Sequence, residues 1–139
     1  MKIIIDSNRI IAALIKESTT RSIISDQFFE FISPDFIFTE IRKYEEDIIK
    51  KAKITKNEFE ILLAILFENI EVISKEEYEK IIIEIKEKIE DPKDLPYLAV
   101  AILTDSYGIW SHDPDFSKQK ILRILTNIDM LNISGKSKF

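Results

Sequence analysis

Acidic side chains carry the chemical promise of this chain, because four of them stand where short apolar runs begin or end. Asp6 follows Ile3, Ile4 and Ile5 directly, and Glu40 follows Phe36, Ile37, Phe38 and Thr39. Asp113 closes a run through Ile109 and Trp110, with Asp115 two residues beyond, and Asp94 opens the small-residue stretch 98–103 that leads into that run. If the runs are strands of a parallel sheet, ligands bind outside their carboxyl ends, which is where these acids collect. Carboxylates gathered at one edge repel one another unless cations lie among them. Their hard oxygens suit Mg²⁺ or Mn²⁺, which prefer octahedral oxygen shells and keep several waters. An ion of that kind polarises a phosphodiester and lowers the pKa of a water attacking in line, so no side-chain nucleophile is needed. The candidate catalytic acids are therefore Asp6, Glu40, Asp94 and Asp113. The candidate metal ligands are Asp6, Asp94, Asp113 and Asp115, while Ser7 and Asn8 are placed to orient water or phosphate.

Each residue also has a plainer reading, since the chain holds 25 acidic residues. Asp6 could be an ordinary helix N-cap, Glu40 a first-turn acid favoured by the helix dipole, and Asp113 a turn residue before proline. Asp94 is a better cap than Asp91, because a helix capped at Asp91 would put Pro96 near its fifth position, costing about 3 kcal/mol. With Asp94 as cap, Pro96 falls in the first turn, where proline is tolerated. His112, the only histidine, reads as a solvent-facing turn residue, and Trp110 as core. The glutamates of 76–87 read as a solvated helix face.

Several elements must position these acids. A buried strand at 2–5 is followed from Ser7 by a helix with Ile10, Ile11, Leu14 and Ile15 on one face. A second helix is expected over 19–31, a second strand over 35–38 and a helix from Thr39 to about residue 53. Thr55 with Glu58, and Ser74 with Glu77, are capping boxes that open the next two helices, on either side of a strand at 70–73. The remaining elements are a helix opened by Asp94, a strand at 107–111, a strand at 121–125 and a last helical turn at 127–131. Strands alternating with helices argue an α/β fold, a parallel sheet covered on both faces as a three-layer sandwich. The nuclease-like domain is expected over 1–132, with 133–139 a loose tail.

Composition bounds the remaining classes. A chain of 139 residues favours one core, and two glycines with four prolines leave little room for long irregular loops. Without cysteine there are no disulfides, thiolate zinc sites or cysteine nucleophiles. No run approaches the ~18 apolar residues of a membrane span, and cytoplasmic residence is the default expectation. A net charge of −5 argues against coating nucleic acid through bulk positive charge, but not against cutting it at a cation-loaded acid site. Large apolar residues over 19–66, among them Phe28, Phe29, Phe31 and Phe59, exceed what so small a domain can bury, which predicts a homodimer.

The stretch from Ile3 to Asn8 with its apolar helix resembles the first motif of PIN domains. Thr39-Glu40 is similar to their second acidic motif, Asp94 before an alanine-rich helix to the third, and the run 109–116 with its Asp113-Pro114-Asp115-Phe116 turn to the fourth. The match spans residues 1–132. The resemblance implies a five-stranded parallel sheet in the order 3-2-1-4-5, and Mg²⁺- or Mn²⁺-dependent endoribonuclease activity. Many small members are VapC-like toxins that dimerise and are neutralised by an antitoxin. Rival readings are a non-catalytic PIN domain that binds RNA or acts as a scaffold, and a flavodoxin-like phosphoacceptor domain. The second lacks an acid closing its third strand and a lysine closing its fifth. DNA as substrate is a further alternative.

Overall fold

The computed structural model describes residues 1–135 apart from 17, 90, 115, 117 and 118. Its elements run β1 (Lys2–Ile5), α1 (Ser7–Ile15), α2 (Ser18–Ile24), β2 (Glu30–Pro34), α3 (Phe36–Lys43), α4 (Glu45–Ala52) and α5 (Lys56–Phe67). They continue as β3 (Ile70–Ile73), α6 (Lys75–Ile85), α7 (Leu95–Thr104), β4 (Gly108–Trp110), β5 (Ile124–Leu125) and α8 (Asn127–Ser134). The strands form one sheet in the order β3-β2-β1-β4-β5, and every neighbouring pair is parallel.

Alternation along β1 divides the core. Ile3 and Ile5 join Phe31 and Trp110 in one apolar layer beneath α1, α3, α4 and α5. Ile4, one residue out of phase, faces the other way and packs with Ile32, Ile109 and the apolar residues of α6 and α7. All three isoleucines are fully buried, which is why this strand reads as a continuous apolar run and not an alternating one.

The second strand lies about four residues earlier than expected. Residues 30–34 read as the end of a helix and its break at Ser33-Pro34, yet they are β2, with Pro34 its last residue opposite Ile73. A residue before proline is pushed toward extended backbone, and proline is tolerated where a strand terminates. The run 35–38 instead opens α3, with Ile37 and Ile41 buried one helical turn apart. Asp35 does not cap its own helix. Its carboxylate accepts from Lys75 N at 3.0 Å and from the Tyr78 hydroxyl at 2.7 Å, tying α3 to the start of α6.

The helix expected over 39–53 is two helices. The chain breaks at Tyr44, whose φ of −105° and ψ of 10° leave the helical region. Both capping boxes form as anticipated, with Thr55 N donating to Glu58 at 2.9 Å and Ser74 N to Glu77 at 3.2 Å.

β5 is shorter than expected because Gln119 intercepts the backbone before it. Its side-chain oxygen accepts from Ile121 N and Leu122 N, both at 2.9 Å, holding these residues in a loop. Where β5 meets β4 the backbones come close. A Cβ on Gly108 would lie 2.8 Å from Arg123 Cγ and 2.9 Å from Arg123 O, so only glycine fits there. α8 continues to Ser134, three residues past the turn expected to end at 131, and stops at Gly135 with a left-handed φ of 76°. Residues 136–139 of the expected tail lie outside the described residues.

Candidate active site

The carboxyl edge of the sheet opens into a cleft of about 230 Å³, lined by Asp6, Glu40, Asp91, Asp94 and Asp113 with Ser7, Asn8 and Tyr97. The four expected catalytic acids, separated by up to 107 residues in sequence, are thus brought to one place with Asp91 beside them. Asp115, the remaining expected ligand, lies outside the described residues.

Asp6 is the centre of the arrangement. The β1 ladder continues one residue past the strand, with Asp6 N donating to Trp110 O at 3.1 Å. This places Asp6 beside Ser111, the residue after β4. Oδ1 accepts from Ser7 N at 2.8 Å, so Asp6 does cap α1, while Oδ2 accepts from Ser111 Oγ at 2.6 Å. The side chain is 4% exposed. Burial pushes its carboxyl up to about 7 from an ordinary 3.8. The hydrogen bond from Ser111 opposes that rise, and the nearby charges of Glu40 and Asp113 add to it.

Glu40 sits in the second turn of α3, not at its start as a helix opening at Thr39 implies. It is held from above by Tyr97, whose hydroxyl donates to Glu40 Oε1. Burial raises the Glu40 carboxyl, while bonds from Tyr97 and Ser7 and the charge of Lys93 lower it. Tyr97 is buried beside these acids, and its own ionisation is driven far above the usual phenol range, so it remains a neutral donor.

Asp94 begins α7 but does not cap it with its side chain. Its φ of −80° and ψ of −23° are already helical, and no capping hydrogen bond forms. Asp91 performs the turn chemistry instead. Its carboxylate accepts from Lys93 N at 3.0 Å, and its carbonyl accepts from Asp94 N at 3.1 Å. The side-chain cap expected of Asp94 is therefore absent, while Asp91 is the turn residue that its place before Pro92 suggests. Pro96 still falls within the first turn of α7. Asp94 is 5% exposed and lines the cleft.

Asp113 is positioned through Ser111, since its backbone N–H donates to Ser111 Oγ at 2.9 Å. Ser7 and Asn8 both line the cleft, but neither points into it unattached. Asn8 donates to Ser111 Oγ at 3.3 Å and accepts from Arg9 Nε at 3.1 Å and His112 N at 3.4 Å. His112 is exposed and Trp110 is fully buried, donating to Asn127 at 2.8 Å.

Two residues that the sequence did not single out complete the site. Ser111 joins Asp6, Asn8 and Asp113 through one hydroxyl, and Tyr97 fixes Glu40. The signal for Ser111 was a polar residue ending a strand adjacent to β1. Tyr97 was concealed in an apolar helix that reads as pure core.

A hard divalent cation suits this donor set. The acids are all oxygen ligands, and the most buried of them is penalised for being charged. Among the described residues no group of three or more acidic or histidine side chains is arranged to hold an ion.

The chain matches the family model of the PIN domain over residues 4–127. Among solved structures it is similar to a chain of the crystal structure of VapBC2 from Rickettsia felis bound to a DNA fragment from their promoter. The TM-score is 0.63 at 15% sequence identity, with 91% of this chain and 98% of that chain covered. At this identity the likeness is one of fold. No curated protein matches the chain.

Proposed function

The chain belongs to the PIN-domain family, and on that premise we propose that it is a divalent-metal-dependent endoribonuclease acting at the acid cleft. The observation that carries the reading is the joint lining of one cleft by Asp6, Glu40, Asp94 and Asp113, with Asp6 so buried that its carboxyl is pushed up to about 7. A site built only for stability has no reason to bury mutually repelling acids.

Asp6, Asp94 and Asp113 would hold Mg²⁺ or Mn²⁺, with Asp115 as a further ligand. When bound, the ion neutralises phosphate charge and lowers the pKa of an attacking water. The chain's own residues supply the positioning. Ser111 orients the Asp6 carboxylate and the Asp113 backbone together, and Tyr97 holds Glu40 where it can accept a proton from water. Ser7, bonded to both Asp6 and Glu40, spans the two acids.

Toxin biology belongs to the same reading. The similar Rickettsia felis structure is of VapBC2 bound to a DNA fragment from their promoter, which supports an antitoxin partner here. A homodimer is also proposed, although three of the phenylalanines expected at its interface are core: Phe29, Phe31 and Phe59 are buried. Within residues 19–66 the exposed large apolar side chains are instead Phe28, Tyr44 and, on α5, Ile61 and Ile65, the last two 59% and 51% exposed. Among the described residues no helix is long and apolar enough to cross a membrane; cytoplasmic residence remains part of the proposal.

The test is cleavage of a labelled RNA in Mn²⁺ and in EDTA, with the ends of the products identified. Internal cuts that require metal and leave no 2′,3′-cyclic phosphate support attack by water. Metal-independent cuts, or cyclic phosphate ends made by the RNA's own 2′-hydroxyl, overturn the mechanism. RNA binding without cleavage in any divalent ion would favour the non-catalytic alternative.

A further inference from the structure

Most of the cleft's charge is negative, yet its ligand in the proposed reaction is a polyanion. Lys93 is the single cationic side chain among the described residues that line the cleft. It is exposed, so its ammonium is reached from solvent. Its backbone is fixed by the Asp91 turn at 3.0 Å, which sets the root of the side chain while leaving the ammonium group out of that bond. Its positive charge is among the influences that lower the Glu40 carboxyl.

Tyr44 reaches the same cleft from the break between α3 and α4. It is 46% exposed, an unusual place for an aromatic ring that has core available on both neighbouring helices. The Lys43 ammonium lies over one face of the ring, 5.6 Å from its centroid, so the aromatic already has a cationic neighbour. A cation beside an aromatic ring is the pairing that single-stranded nucleic acid uses, with charge for the backbone and a flat face for a base.

We propose that Lys93 and Tyr44 form a nucleotide subsite at the lip of the acid cleft, Lys93 gripping a phosphate and Tyr44 stacking the base of single-stranded RNA. The proposal rests on the ribonuclease reading of the cleft. It also explains how an acidic protein can hold RNA. The metal neutralises the phosphate being cut, and the lip holds the neighbouring nucleotide.

The two residues act through different physics, so their loss leaves different signatures. Binding of a short mixed-sequence single-stranded oligoribonucleotide is followed by fluorescence anisotropy across a salt series, with Ca²⁺ supplied as the oxygen-liganded cation. Lys93→Ala should weaken binding and flatten the plot of log affinity against log salt by about 0.7, the contribution of one phosphate contact on a single strand. Lys93→Arg should restore the slope. Tyr44→Leu should weaken binding by roughly tenfold with the slope unchanged, because stacking releases no counterions. Mn²⁺ titrated alone should bind Tyr44→Leu as it binds wild type, and Lys93→Ala at least as tightly, since removing a positive charge beside carboxylates cannot weaken a cation. An unchanged salt slope in Lys93→Ala would mean that Lys93 only balances the carboxylates, and unchanged affinity in Tyr44→Leu would remove the stacking platform. Either result overturns the subsite while leaving the nuclease reading intact. Failure of the wild-type protein to bind RNA in metal would instead overturn the nuclease reading beneath it.

Discussion

Replacing Asp6 by asparagine should stabilise the metal-free protein at pH 8, although Asp6 is the most central residue of the site. The carboxyl is pushed up from 3.8 to about 7, with burial the largest cause. Between those two pH values the native protein holds a proton that the unfolded chain has lost. Its stability contribution is complete below 3.8 and is lost as pH rises through 7. The span, 7 minus 3.8 or 3.2 pH units, corresponds to ~4 kcal/mol at ~1.36 kcal/mol per unit. Asparagine carries no charge to ionise and can still accept from Ser7 N through its oxygen. It cannot accept from Ser111 Oγ through its nitrogen, and losing that bond costs on the order of 1 kcal/mol. Asp6→Asn should therefore be more stable than wild type by ~3 kcal/mol at pH 8, and by no more than ~1 kcal/mol at pH 5. Urea unfolding in EDTA at both pH values measures the gap. A mutant no more stable than wild type at pH 8, or a gap that fails to widen from pH 5 to pH 8, would refute the burial argument.

Other consequences are open to separate measurement. Metal must displace the Asp6 proton, so Mn²⁺ affinity should climb up to tenfold per pH unit toward pH 7 and level off above it; calorimetric titration at several pH values reads this. Ser111→Ala removes the hydrogen bond that holds the Asp6 carboxyl down. The levelling point should then move to higher pH, and cleavage should fall by roughly ten- to a hundredfold, in keeping with losing an orienting bond to a ligand. Asp94→Asn should lose cleavage by orders of magnitude with little change in melting temperature, since its side chain makes no cap bond. Asp91→Asn should retain most activity because asparagine can still accept from Lys93 N; a loss as large as that of Asp94→Asn would give Asp91 the ligand role. Ile65→Glu, on the exposed face of α5, should convert a wild-type dimer to a monomer by light scattering, and an unaltered dimer would place the interface elsewhere.

The sequence exposed those parts of the molecule in which one local signal dominates. β1 and Asp6 were legible because three buried isoleucines end abruptly at a charge. The capping boxes at Thr55 and Ser74 were legible because their reciprocal bonds require fixed residue types at fixed spacing. Errors arose where the same residues satisfy two periodicities. Phe28 to Phe31 continues the helical pattern of α2 and also alternates as a strand, and only pairing with β1 and β3 decides between them. Pro34 reads as a helix breaker, but it ends a strand. The Tyr44 break has no glycine or proline to announce it. Ser111 and Gln119 act through contacts that no spacing rule describes, one hydroxyl shared by three residues and one amide that replaces a stretch of sheet. The missing side-chain cap at Asp94 has the same origin. Sequence placed a cap near the first turn of α7, but which acid turns back to the chain depends on a backbone angle at Asp94.

In the proposed reaction the buried Asp6 carboxylate serves a metal that cuts RNA. Its most direct test is cleavage of one labelled single-stranded RNA by wild-type protein and Asp6→Asn, side by side at matched Mn²⁺ and pH 8. Wild type should make internal cuts that EDTA abolishes, while Asp6→Asn, folded and more stable in the absence of metal, should make none. Equal cleavage by the two proteins would contradict the account.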